Sequence, residues 1–116
     1  MKQTIFTGCG TALVAPMKDD FSVDYPRLKE LIEKQIAAGV DAIVVNGTTG
    51  ECATLSDDEQ YKIILTAKET IAGRVPLIAG AGSNDTAHAV RLAMSARNAG
   101  ADAILVVTPY YNKTSQ

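Results

Sequence analysis

Three short segments of this chain combine side chains that move protons with glycines that admit a ligand to the backbone. In Asn46-Gly47-Thr48-Thr49-Gly50-Glu51 the two glycines would expose amide N–H groups to an anion. The adjacent threonine hydroxyls can donate to a carboxylate, and one of them can also pass a proton. A Gly-rich connection with no chemical role would carry the same residue types. Glu51 fits a general base or a hydrogen-bonding brace, and the brace is the expectation. In Thr108-Pro109-Tyr110-Tyr111-Asn112-Lys113 a proline stiffens the backbone beside two neighbouring phenols. Such phenols serve packing or a subunit interface, or relay a proton when held near a substrate. Gly80-Ala81-Gly82-Ser83-Asn84 runs toward a predicted helix N-terminus, a geometry suited to phosphate or carboxylate. It lacks the Lys-Ser/Thr pair and the third glycine of nucleotide fingerprints, so a turn and helix cap are expected. His88, the only histidine, falls in the next helix's first turn, where a surface or cap-adjacent role is expected. Cys9 and Cys52 have no histidine nearby in sequence and read as buried small apolar side chains, not as nucleophiles or metal ligands.

The elements that must position these loops are visible as apolar runs. Thr11 to Ala15, Ala42 to Val45, Val75 to Ala79 and Ala103 to Val107 are continuous rather than alternating, which predicts buried parallel strands. Three helices are predicted between them. The first has Asp24 as cap, Pro26 in its first turn, Leu28, Leu31, Ile32 and Ile36 on one face, and Gly39 as stop. The second opens on the capping box Ser56-Asp57-Asp58-Glu59 and ends at Gly73. The third is capped by Asn84 or Asp85, presents Ala89, Val90, Ala93, Met94 and Ala96, and ends at Gly100. An internal echo supports the scheme: Ala38-Gly39-Val40-Asp41-Ala42-Ile43-Val44-Val45 returns 61 residues later as Ala99-Gly100-Ala101-Asp102-Ala103-Ile104-Leu105-Val106.

Composition narrows the class. The 116 residues are 47% hydrophobic and 21% charged, which is globular rather than disordered. A net charge of −2 argues against a nucleic-acid surface. No apolar run approaches the roughly 18 residues that span a bilayer, and Met1-Lys2-Gln3-Thr4 lacks the start of a signal peptide, so a cytoplasmic location with no membrane partner is expected. Two cysteines make no disulfide framework. Alternating strands and helices leave a doubly wound sheet or a (β/α)8 barrel. A complete barrel needs about 250 residues. As a barrel, residues 1–116 would form one domain, an N-terminal half with four parallel strands and three intervening helices. Its open edges would then need covering by further chain or a partner.

Gly47-Thr48-Thr49-Gly50-Glu51 with Ala53-Thr54-Leu55, and Thr108-Pro109-Tyr110-Tyr111-Asn112-Lys113, closely resemble the dihydrodipicolinate synthase family. So do Gly10-Thr11-Ala12-Leu13-Val14-Ala15-Pro16-Met17 and Val75-Pro76-Leu77-Ile78-Ala79-Gly80, so the likeness spans the chain. The resemblance implies an α/β fold, the N-terminal half of a (β/α)8 barrel. It implies a lyase of lysine biosynthesis that condenses pyruvate with aspartate semialdehyde through a lysine Schiff base, with no metal or organic cofactor. In that family Thr49 would bind the pyruvate carboxylate, while Thr48 and Tyr111 would relay protons, the tyrosine reaching across a dimer interface within a homotetramer. The Schiff-base lysine lies on a later strand of the family's barrel, and Lys18, Lys62, Lys68 and Lys113 do not match its motif, so the chain alone is expected to be inactive. Asn84 and Tyr110 match the family's feedback site for lysine. Asp57 and Gln60 stand where lysine-sensitive members often carry histidines, and His88 where a glutamate is usual, which argues against lysine sensitivity. N-acetylneuraminate lyase and related 2-keto-acid aldolases share the Gly-Thr-Thr-Gly-Glu loop and remain an alternative, as does a non-catalytic association module.

Overall fold

The structure, a computed structural model, describes residues 3–112 and Ser115. Lys113, the last residue of the tyrosine motif, lies outside the described residues. The elements follow one another as β1 (Gly10–Ala12), α1 (Tyr25–Ala37), β2 (Ala42–Val45), α2 (Asp57–Ile71), β3 (Leu77–Gly80), α3 (Thr86–Asn98) and β4 (Ala103–Leu105). Two 3-10 turns, Thr48–Gly50 and Cys52–Thr54, lie between β2 and α2. The sheet is parallel in the order β1-β2-β3-β4, with Thr11 beside Ile43, Ile43 beside Leu77 and Ile78 beside Ala103.

β2 coincides with its apolar run, Ala42 to Val45, whereas β1, β3 and β4 are shorter than theirs. Leu13 adds one more bond beyond β1, its N–H donating to the Val44 carbonyl at 2.9 Å. Pro76 has no N–H to offer the ladder, and β3 begins only at Leu77. Beyond Leu105 no further strand lies alongside among the described residues, so Val106 and Val107 continue outside the ladder.

Local chemistry accounts for the helix starts. The Asp24 carboxylate accepts from the Arg27 N–H at 2.9 Å, and Pro26 occupies the first turn, where its missing donor costs nothing. Ser56 accepts from the Glu59 N–H at 3.2 Å while Glu59 accepts from the Ser56 N–H at 2.8 Å, the reciprocal box the sequence predicts. For α3 the cap is Asp85, which accepts from Ala87 N–H, and Asn84 is left for another task.

The face of α3 needs correction. Leu92 and Ala96 are buried with Ala89 and Ala93 beside them, whereas Val90 and Met94 are more than half exposed. Positions 89, 92, 93 and 96 form a single stripe at helical spacing, and the small alanines let the helix settle close to the sheet. The cysteines also depart from expectation: Cys9 is exposed and Cys52 only half-buried.

The core lies between the helices and one face of the sheet. Ile43, Val45, Leu77 and Ala79 meet Leu28, Ile32, Ile63 and Ile71, all essentially without solvent contact. Each such Leu or Ile contributes about 1.5–3 kcal/mol relative to exposure. The internal echo acquires a physical meaning here. Asp41 accepts from the Cys9 N–H at 2.8 Å and Asp102 from the Leu77 N–H at 2.9 Å, so each aspartate, standing just before its own strand, ties down the start of the preceding one. Among the described residues, no helix is long and apolar enough to cross a membrane.

Candidate functional site

The connections after β2, β3 and β4 all emerge at the C-terminal ends of the parallel strands, where parallel α/β folds place their chemistry. They enclose a cleft of about 500 Å³. Its shape depends on the residue that follows β2. Asn46 is buried and left-handed (φ 56°), which turns the chain sharply into the threonine loop. Its Nδ2 donates to the Gln60 carbonyl at 2.9 Å, and its buried Oδ1 has no partner among the described residues. The Asn46 carbonyl presses on Gly80 so closely that any Cβ at position 80 would collide with it. Gly82 likewise admits Val107, which seats the chain beyond β4 against the loop after β3.

Thr48, Tyr110 and Tyr111 therefore reach one cleft from two different loops. Thr49 belongs to the same 3-10 turn as Thr48, but its exposed side chain is not part of the lining. Glu51 lines the cleft in a left-handed conformation (φ 52°). Its carboxylate forms no hydrogen bond among the described residues, so the brace expected there is instead its carbonyl, which accepts from the Thr54 hydroxyl at 2.9 Å. The turn that follows is pinned from α2: buried Gln60 donates through Nε2 to the carbonyls of Cys52 (3.2 Å) and Leu55 (3.4 Å). Asn84 meets Tyr110, accepting from its N–H at 2.8 Å and donating to its carbonyl at 3.1 Å. Tyr111 follows in a left-handed conformation (φ 62°) with its side chain fully exposed.

His88 does more than decorate a surface. Its Nε2 lies 2.9 Å from Asp57 Oδ1 and its Nδ1 3.2 Å from Ser83 Oγ, and all three residues line the cleft. The resemblance set Asp57 and His88 at positions of one feedback site, but nothing in the sequence reading paired the two side chains. The signal was present, because Asp57 opens α2 and His88 lies in the first turn of α3. Neighbouring crossover helices that begin at the same end of a parallel sheet bring their first turns together. Among the described residues no group of three or more His, Cys, Asp or Glu side chains is placed to hold a metal ion.

Comparison with known proteins agrees with this geometry. Residues 5–116 match the model of the dihydrodipicolinate synthetase family. The chain is 53% identical over 116 residues to the 4-hydroxy-tetrahydrodipicolinate synthase of Acetivibrio thermocellus, covering all of this chain and 39% of that protein. It thus spans about two fifths of the length of the curated relative it matches. Among solved structures, dihydrodipicolinate synthase from Thermotoga maritima superposes with a TM-score of 0.93 at 41% identity, covering 97% of this chain and 38% of that one. The chloride-inhibited dihydrodipicolinate synthase from Acinetobacter baumannii, complexed with pyruvate, does so with a TM-score of 0.92 at 45% identity and the same coverage. Four parallel strands with three helices, overlying about 38% of those barrels, constitute the N-terminal half of a (β/α)8 barrel. The chain belongs to the dihydrodipicolinate synthetase family.

Proposed function

We propose that this chain supplies the proton-relay half of a pyruvate-condensing lyase, which joins pyruvate to L-aspartate 4-semialdehyde to give 4-hydroxy-tetrahydrodipicolinate in lysine (diaminopimelate) biosynthesis. The observation that carries the reading is the convergence of Thr48 and Tyr111, from the loops after β2 and β4, on one cleft at the C-terminal ends of the strands. Family membership and the pyruvate complex of the Acinetobacter relative support the substrate.

On this reading a lysine amine, from the part of the barrel that lies outside the length matched here, condenses with the C2 ketone of pyruvate and releases water. The Schiff base loses a C3 proton to become an enamine, whose C3 bonds to the aldehyde carbon as the aldehyde oxygen takes up a proton; the amine of the aldehyde substrate then adds to C2 and displaces the lysine amine, closing the ring. Thr48 and Tyr111 move protons to and from the reacting atoms, a task that requires hydroxyls in register and rewards a rigidly held backbone. Thr49 donates to the pyruvate carboxylate; since its side chain lies outside the cleft lining, it must turn inward or meet the substrate at the rim. The Tyr111 phenol is fully exposed at the cleft of its own chain, so in a homodimer pair within a homotetramer each chain's phenol would take the equivalent place in the other's cleft. Asn84 and Tyr110 match the family's feedback site for lysine: Tyr110 lines the cleft, Asn84 holds its backbone from outside the lining, and the Asp57 and His88 that line the cleft beside Tyr110 argue against sensitivity to lysine. The whole protein is expected in the cytoplasm, with no cofactor.

The test is a chimera in which residues 1–116 replace the matching part of the Acetivibrio relative. The chimera should condense pyruvate with the aldehyde. Thr48→Val and Tyr111→Phe should each lower kcat by about 10²–10⁴. Thr49→Val should act mainly on the KM for pyruvate. Full activity in all three variants would overturn the assignment.

A further inference from the structure

Tyr111 is an unusual residue to entrust with a proton. Its backbone is left-handed, a conformation that costs a tyrosine and persists only where the surroundings over-determine it. It also follows the last ladder residue, Leu105, by six positions. Among the described residues, the hydrogen bonds that reach positions 106–112 are the two made by Asn84 to Tyr110.

Those two bonds act on different peptide planes. The Tyr110 N–H belongs to the peptide shared with Pro109, and the Tyr110 carbonyl to the peptide shared with Tyr111. A single carboxamide that accepts from the first at 2.8 Å and donates to the second at 3.1 Å fixes both dihedrals of Tyr110 at once. The direction in which the chain leaves toward Tyr111 is then set. The carboxamide has a firm footing, since Asp85, the next residue, caps α3, and the loop before it is packed on Val107 through Gly82.

We propose that Asn84 is a positioning residue for the Tyr111 hydroxyl, acting through a two-point clamp on the Tyr110 backbone. The inference rests on the reading of Tyr111 as a relay and adds to it the residue that aims the relay. Only an amide serves both points: an aspartate keeps the acceptor but sets an oxygen against the Tyr110 carbonyl, and an alanine keeps neither.

Two measurements test this. In the 116-residue chain, followed by amide hydrogen exchange, Asn84→Ala should speed exchange at Tyr110 at least tenfold and leave the strand amides unchanged. Asn84→Asp should keep part of the Tyr110 protection. Arg91→Ala, on the exposed face of α3, should alter neither. In the chimera with the Acetivibrio relative, Asn84→Ala should lower kcat tenfold or more with the KM for pyruvate held within twofold, and Asn84→Asp should recover part of the loss. Unchanged exchange at Tyr110 in Asn84→Ala would overturn the clamp. Normal kcat in Asn84→Ala, where Tyr111→Phe is impaired, would overturn the positioning role alone. Normal kcat in Tyr111→Phe would overturn the relay reading and this inference with it.

Discussion

The imidazole of His88 stands 2.9 Å from the carboxylate of Asp57, joining the first turn of α3 to that of α2 at the cleft. Both side chains are substantially solvent-exposed, so the pair works mainly as a spacer between helix ends. A double-mutant cycle on Asp57→Ala and His88→Ala, read by urea unfolding, should give a coupling of about 0.2–1 kcal/mol. Coupling of several kcal/mol would mean that the pair holds the fold together.

Asp102 is expected to make stability depend on acid. Burial pushes its carboxyl upward, but the Leu77 N–H and the Lys68 ammonium at 2.9 Å more than offset this and hold it below its ordinary value of 3.8. The folded chain therefore releases this proton more readily than the unfolded chain. The resulting stability is fully present above the ordinary carboxylate value and is lost as pH falls through the lower, folded one. Asp102→Asn should melt below the wild type at neutral pH, and the gap should close as the pH drops below about 4. A gap that stays constant through that range would contradict the assignment.

The capping box gives a local test. Ser56→Ala should cost about 1 kcal/mol, seen as a lower midpoint of thermal unfolding by circular dichroism. An unchanged midpoint would mean that α2 is held by its packing alone.

Phe21 sits in the turn that closes the small Met17–Val23 bridge, with φ 66° and 82% of its surface exposed. A left-handed, exposed phenylalanine gains little from burial and bears a backbone cost of roughly 1–2 kcal/mol. Phe21→Gly should raise the melting temperature even though it deletes an aromatic ring. Gly80→Ala should do the reverse, costing about 1–3 kcal/mol, because the added methyl meets the Asn46 carbonyl.

Much of the fold could be read from residues that act on their own neighbours. Asp24, Ser56 with Glu59, and the Asp85 option cap helices through contacts at most three residues away, and sequence displays such contacts directly. The misreadings arose where a distant partner decided the outcome. Val90 and Met94 are apolar and helically spaced, yet the sheet lies against the alanine and leucine stripe beside them. Val106 and Val107 fit a strand in composition but have no ladder partner. The loops of the site were legible because they follow strands and carry hydroxyls. The family resemblance grouped Asp57, His88, Asn84 and Tyr110 at one feedback site, but the contacts of Asp57 with His88, 31 positions apart, and of Asn84 with Tyr110, 26 apart, were not legible, because only the juxtaposition of two βα units makes them.

The central claim is that these loops serve pyruvate chemistry, and the most direct measurement is borohydride trapping. The chimera of this chain with the remaining length of the Acetivibrio relative would be treated with pyruvate and borohydride and then weighed by mass spectrometry. The account predicts one reduced pyruvyl adduct per chain, on a lysine outside residues 1–116. A chimera that folds by circular dichroism but gains no adduct would contradict it.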